Sequence, residues 1–217
     1  MLMTNRTIAH TSAYSSAYTS ARNLLASALL ACTFALPVWA QEFTVGSTKL
    51  PITSTISEQK LQLNGAGIRY KAIFKVYAAG LYLPKTAKSA EEALSMAGPK
   101  RVTMVFLREL DAKEFGKLMI AGVENNVKDK KQLVNAMPGL LKMGDIFSRY
   151  KKMNPSEEIH FDLNADKSVS LQVRGKTEAI PGGTDFYDAI LLVWLGKSPV
   201  DYKLKEGMLA GGVTAQK

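Results

Sequence analysis

Residues 64–83 read NGAGIRYKAIFKVYAAGLYL, and no other stretch limits the fold as tightly. Ile73, Phe74, Val76, Tyr77, Leu81 and Tyr82 supply the β-branched, aromatic and apolar side chains of a strand over 73–83, which Pro84 ends. Upstream, 60–63 alternates polar and apolar and predicts a second strand leading into a glycine turn. Gly65 and Gly67 leave the backbone there open to close approach or unusual dihedrals. Arg69 sits inside this apolar segment, and an arginine is rarely buried unless something pairs with it.

The N-terminus predicts export. Residues 1–40 contain Arg6 and Arg22 and no acid, then a mostly apolar run, then Val38-Trp39-Ala40, a small-residue cleavage site. That run is short and broken by Pro37, so it does not read as a spanning helix. Cleavage after Ala40 makes residues 41–217 a single periplasmic domain. A less favoured reading takes Leu29-Leu30-Ala31-Cys32 as a lipoprotein box, but the apolar segment continues past Cys32.

Composition after the leader excludes several classes of chemistry. Cys32, the only cysteine, leaves with residues 1–40, so there is neither a disulfide nor a thiol nucleophile. Of the two histidines His160 alone remains, which argues against a histidine-based metal site or a serine–histidine triad. No cofactor is expected. Removing two of the 28 basic residues leaves 26 against 19 acids, a charge of +7. In an exported chain this fits a lysine-rich solvated surface, an anionic membrane surface or a carboxylate ligand better than nucleic acid.

Further elements follow in order. Short extended pieces fall at 43–45 and 50–56, with Pro51 marking an edge. Ser89 caps a short helix over 89–97, and 102–107 is a buried strand. Asp111 opens a helix with Glu114 three residues on, and Phe115, Leu118, Met119 and Val123 share one face of it. Residues 130–152 are helical with an interruption at Pro138-Gly139, and Val134, Met137, Leu140, Leu141 and Phe147 mark the apolar side. Strands at 158–163 and 168–173 form a hairpin, followed by a strand at 176–180. Thr184 caps a helix ended by Gly196, and Ser198-Pro199 starts the last one. Strands, a helical block, then a hairpin and helices make an α+β domain.

Tyr77-Ala78-Ala79-Gly80-Leu81-Tyr82 after Arg69, with Ala189-Ile190-Leu191-Leu192, Trp194-Leu195-Gly196, Pro199 and Leu204-Lys205 near the end, resembles the chalcone isomerase-like fold family. That family includes plant chalcone isomerases, their fatty-acid-binding relatives and bacterial exported members. The resemblance covers residues 43–212. It implies a large antiparallel β-sheet with a layer of α-helices on one face. It also implies that Arg69 steadies an anion in the enzymes or holds a carboxylate in the binders. Tyr77 falls where the enzymes resemble one another in carrying threonine and the fatty-acid binders look like they carry tyrosine. The tyrosine, lysine and asparagine of the enzymes' helix do not fall together after Asp111, and Phe115 stands near the tyrosine position.

Each candidate has a plain alternative. Arg69 either anchors a ligand or pairs with Asp111 or Glu114, and Tyr77 either meets the ligand or is a core tyrosine with a satisfied hydroxyl. A straight strand from 69 to 77 would separate the two by roughly 26 Å, whereas a tight turn near Tyr70-Lys71 brings them to roughly 16 Å. Lys113 or Lys117 faces a pocket or solvent. Met104, Met119, Met137 and Met143 line an adaptable pocket or fill the core. These readings point to a fatty acid or similar small apolar carboxylate bound without catalysis by Arg69, Tyr77, Lys113, Phe115 and Met119. The alternatives are an isomerase or intramolecular lyase for a phenolic or enolisable substrate, and an accessory protein with a vestigial pocket.

Overall fold

The computed structural model describes residues 41–213; the expected leader, with its expected cleavage site and the Cys32 alternative, lies outside them. Seven strands form one antiparallel sheet in the order β11-β10-β9-β6-β5-β4-β3. They are β3 (Thr53–Ile56), β4 (Gln59–Lys71), β5 (Phe74–Leu83), β6 (Lys100–Phe106), β9 (Glu158–Leu163), β10 (Val169–Val173) and β11 (Lys176–Ile180). Alternation sends Tyr77, Ala79 and Leu81 of β5, with Val102, Met104 and Phe106 of β6, into the main core. Tyr82 faces the other way with Leu61 and Leu63, under the hairpin β1 (Glu42–Val45) and β2 (Thr48–Pro51). Its hydroxyl donates to the Pro51 carbonyl at 2.9 Å. A third, two-stranded pairing joins β7 (Leu110–Asp111) to β8 (Lys152–Met153).

Helices cover the main-core face: α1 (Ala90–Ser95), α2 (Ala112–Asn126), α3 (Lys130–Ser148), α4 (Gly183–Leu195) and α5 (Tyr202–Met208). α4 is buried nearly all round, as an apolar helix must be, and Phe186, Ile190 and Trp194 are among its fully enclosed side chains. The Ser89 and Asp111 caps form as expected, with their side chains accepting from the Glu92 and Glu114 amides.

Several local expectations are corrected. The glycine turn is absent, and β4 runs unbroken through Gly65 and Gly67. A Cβ on Gly65 would strike the Gly207 carbonyl, so the glycine serves to seat α5 against the strand. Pro138 lies inside a continuous α3. The hydrogen bond it cannot donate would go to the carbonyl of Val134, an exposed residue on the solvent side of the helix. Val134, Met137 and Leu141 are exposed, because the packed stripe is Ala136, Gly139, Leu140, Met143 and Ile146–Phe147. The small residues Ala136 and Gly139 make part of that contact and shift the buried face away from Val134, Met137 and Leu141. α4 starts at Gly182, in the left-handed region at φ 101°, rather than at a Thr184 cap. The last helix starts at the Asp201 cap rather than at Pro199.

His160 lies on the sheet face opposite the helices, with Nδ1 2.9 Å from the Thr103 hydroxyl. Burial, and next the Arg101 charge, push its pKa down to about 4; nearby Asp162, which is paired with Arg101, works the other way. The unfolded chain therefore takes up the proton first as pH falls. The associated stability is complete above about pH 6.5 and is lost on the way to pH 4, by roughly 3 kcal/mol. Neighbouring Glu158, held above its usual range by burial, acts in the opposite sense. Urea denaturation of wild type and His160→Gln at pH 7 and 4.5 is expected to show a smaller loss in the variant. Equal losses would remove His160 as the cause.

Candidate functional site

Two irregularities in the sheet place Arg69 beside Tyr77. At Asn64 the β4–β5 register shifts, so that Leu63 opposes Tyr82 but Gly65 opposes Leu81. This bulge moves the odd-numbered residues of β4 from the hairpin side to the helix side. Arg69, directly opposite Tyr77, therefore points into the helix layer. A second shift just beyond the pair turns Val76 inward as well. The chain reverses at Ala72-Ile73, two residues later than the tight turn expected near Tyr70-Lys71. Pairing across a hairpin removes the separation that a straight strand would impose. The Arg69 guanidinium carbon stands 5.7 Å from the Tyr77 ring centroid, within cation–π range.

Asn64 holds the bulge. Its amide nitrogen donates to the Ala87 and Met208 carbonyls at 2.9 and 2.8 Å, and its oxygen accepts from the Ala87 amide at 2.7 Å. The side chain is wholly buried and ties β4, the loop after β5 and the end of α5 together.

Arg69 is not paired with Asp111 or Glu114. The Asp111 carboxylate caps α2, and Glu114 takes Lys117 at 2.6 Å. Asp201, the other acid nearby, accepts from the Tyr70 and Leu204 amides at 2.9 and 3.1 Å. Among the described residues no carboxylate lies within 4.0 Å of the Arg69 guanidinium. Its Nε is the one buried side-chain nitrogen or oxygen among them that lacks a hydrogen-bond partner. Such a donor costs free energy unless something accepts from it.

Arg69, Phe115 and Leu118 border two adjoining cavities. The first, of about 270 Å³, is lined by Phe74, Val76, Leu110, Phe115 and Leu118, with Lys71, Arg108, Asp111 and Glu114 at its rim. The second, of about 210 Å³, is bounded by Tyr77, Phe115, Leu118, Met119 and Asn125 and by the loop Ser198-Pro199-Val200. Asn126 fixes that loop by accepting from the Ser198 amide and donating to its carbonyl, both at 2.8 Å. Phe115 borders both cavities and stands edge-on to Tyr77, Phe106 and Phe147.

Tyr77 is 1% exposed, and its hydroxyl accepts from Trp194 Nε1 at 3.1 Å. Indole is only a donor, so the phenol proton is left for another acceptor. Burial raises its pKa to about 12, partly offset by Arg69, so the phenol stays neutral at ordinary pH. Tyr77→Phe strands the Trp194 N–H and is expected to lower unfolding stability by about 1–3 kcal/mol in chemical denaturation. An unchanged midpoint would mean that the indole finds another acceptor.

Arg69, Tyr77, Phe115 and Met119 thus come together, whereas Lys113 does not join them. Lys113 is on the solvent side of α2 and borders neither cavity. Met104 and Met143 are core and Met137 is exposed. Leu118, expected on the buried face of α2, is 50% exposed because three residues from Phe115 the helix has turned it towards the cavity mouths. Phe74, Arg108, Leu110 and Asn126 were not expected from the sequence. Only the fold brings their separate elements together. Among the described residues no group of three or more His, Cys, Asp or Glu side chains suits a metal.

Comparison with known proteins agrees with this architecture. No curated protein sequence matches the chain. The crystal structure of a fatty-acid binding protein from Arabidopsis thaliana superposes with a TM-score of 0.55 at 16% identity, covering 75% of this chain and 92% of that one. The family model described as chalcone isomerase-like matches residues 42–210, and on that match the chain belongs to the chalcone isomerase-like family.

Proposed function

We propose that this chain is an exported protein that binds a fatty acid or similar small apolar carboxylate without transforming it. The observation that carries the reading is Arg69, with a buried, unpartnered Nε and every nearby acid engaged elsewhere. A carboxylate accepts two parallel hydrogen bonds from such a fork, and the free Tyr77 proton adds a third donor. The apolar lining at Phe74, Val76, Leu110 and Leu118 suits the chain. The Arabidopsis relative, which carries the same fold, is named for binding fatty acids.

Titration calorimetry with a long-chain fatty acid and its methyl ester tests the anchor. The acid is expected to bind at least tenfold more tightly, and equal affinities would overturn the reading. Incubation with a hydroxychalcone is expected to leave its absorbance decaying at the spontaneous rate. Faster loss that disappears in Arg69→Ala would replace binding by isomerisation. Export is tested by N-terminal sequencing of the protein from its own cell: a start at Gln41 is expected, and an intact leader or a lipid-modified Cys32 would refute it.

A further inference from the structure

The tip of the β4–β5 hairpin, whose Lys71 and Phe74 also border the first cavity with Arg108, extends beyond that cavity as an exposed apolar and basic patch. Ile73 is 84% exposed, Phe74 55% and Tyr70 39%, a concentration of large apolar side chains on one short turn. Lys71 and Lys75 flank them, and the Arg108 guanidinium lies 5.0 Å from the centre of the Phe74 ring. Among the described residues none of these three cations has an ion-pair partner within 4.0 Å. The acids close by are occupied: Glu109 holds Lys152, Glu114 holds Lys117, Asp111 caps α2 and Asp201 caps α5.

We infer that this hairpin tip docks on the surface of an anionic lipid bilayer. Isoleucine and aromatic side chains enter the boundary between headgroups and acyl chains, while the unpaired lysines and arginine meet anionic headgroups. A projecting tip with a few apolar side chains is small beside the roughly 1,000 Å² that a stable protein interface buries, yet sufficient for reversible insertion. Docking requires no ligand. Its purpose, however, rests on the carboxylate-binding reading. The first cavity is smaller than a typical ligand pocket of roughly 300–1,000 Å³. A long acyl tail anchored at Arg69 would leave it across Phe74 and Leu118, towards the same surface.

Co-sedimentation of ligand-free protein with vesicles tests the docking separately from the cavity. Binding is expected to equal mixtures of phosphatidylglycerol and phosphatidylcholine, falling at least tenfold on pure phosphatidylcholine or in high salt. Ile73→Asp is expected to reduce the partition coefficient at least tenfold, and Lys75→Glu roughly fivefold or more. Neither residue borders a cavity, so fatty-acid affinity in solution is expected to stay at the wild-type value and to certify the fold. Absence of vesicle binding by wild type, or undiminished binding by Ile73→Asp, would overturn the docking while leaving Arg69 as the anchor. Loss of the acid's preference over its ester would overturn the anchor and leave the docking intact.

Discussion

Arg69→Ala is expected to weaken binding of a long-chain fatty acid by about one to two orders of magnitude. A charge-assisted hydrogen bond contributes roughly 1.5–3 kcal/mol, which corresponds to that range of affinity. Arg69→Lys should recover only part of the loss, since an ammonium keeps the charge but not the planar fork. Stability separates this from an ordinary structural arginine. In the free protein the guanidinium satisfies no acid, leaves Nε unpartnered and makes one cation–π contact with Tyr77. Arg69→Met keeps an apolar stem and removes the orphaned donor, so its melting temperature should equal or exceed that of wild type. A melt several degrees lower would reveal a structural partner for Arg69 and return it to the core. Undiminished acid binding by Arg69→Ala would end the carboxylate-anchor account.

The strands were legible because their signals are local. The strands expected at 158–163, 168–173 and 73–83 appear at Glu158–Leu163, Val169–Val173 and Phe74–Leu83, with Ile73 left in the turn. The caps at Ser89 and Asp111 were legible for the same reason: a short polar side chain and the amide three residues on suffice. Where packing depends on small residues, the sequence misled. Gly65 looked like a turn and is a contact surface for α5, and Gly139 looked like a break and rests against Phe186. A glycine announces conformational freedom in sequence but close approach only in three dimensions.

The candidate site was half legible. Arg69 and Tyr77 stood out as a charged and an aromatic residue in an apolar context, and Phe115 and Met119 followed from the helix period. Their meeting was not readable, because two bulges decide which face Arg69 takes and how far it lies from Tyr77. Lys113 was misplaced for a related reason. Which side of α2 faces the cavities depends on how Phe115 seats among Phe106, Phe147 and Tyr77, a contact set drawn from four elements. The loop at Ser198-Pro199-Val200 shows the same limit. Its role follows from the tether to Asn126, more than seventy residues earlier in the chain.

Asn64→Ala is expected to be among the most destabilising single substitutions in the described chain. It removes three buried hydrogen bonds and leaves the Ala87 amide and the Ala87 and Met208 carbonyls without side-chain partners. At roughly 1–3 kcal/mol for each stranded group, with partial relaxation, the loss should reach about 3–5 kcal/mol. That is a large part of the roughly 5–15 kcal/mol by which domains are stable. Asn64→Asp preserves the acceptor for the Ala87 amide but sets a carboxylate oxygen against two carbonyls, so it should fare no better. The effect should extend to function, since the bulge at Asn64 is what turns Arg69 to the helix side. A strand that regularised there would carry the guanidinium to the opposite face of the sheet. Urea denaturation gives the stability, and calorimetry at a temperature where the variant remains folded gives the affinity. Both should fall in Asn64→Ala. A variant within about 1 kcal/mol of wild type that still prefers the acid to its ester would show that packing between Gly65, Gly67 and α5 sets the bulge without Asn64.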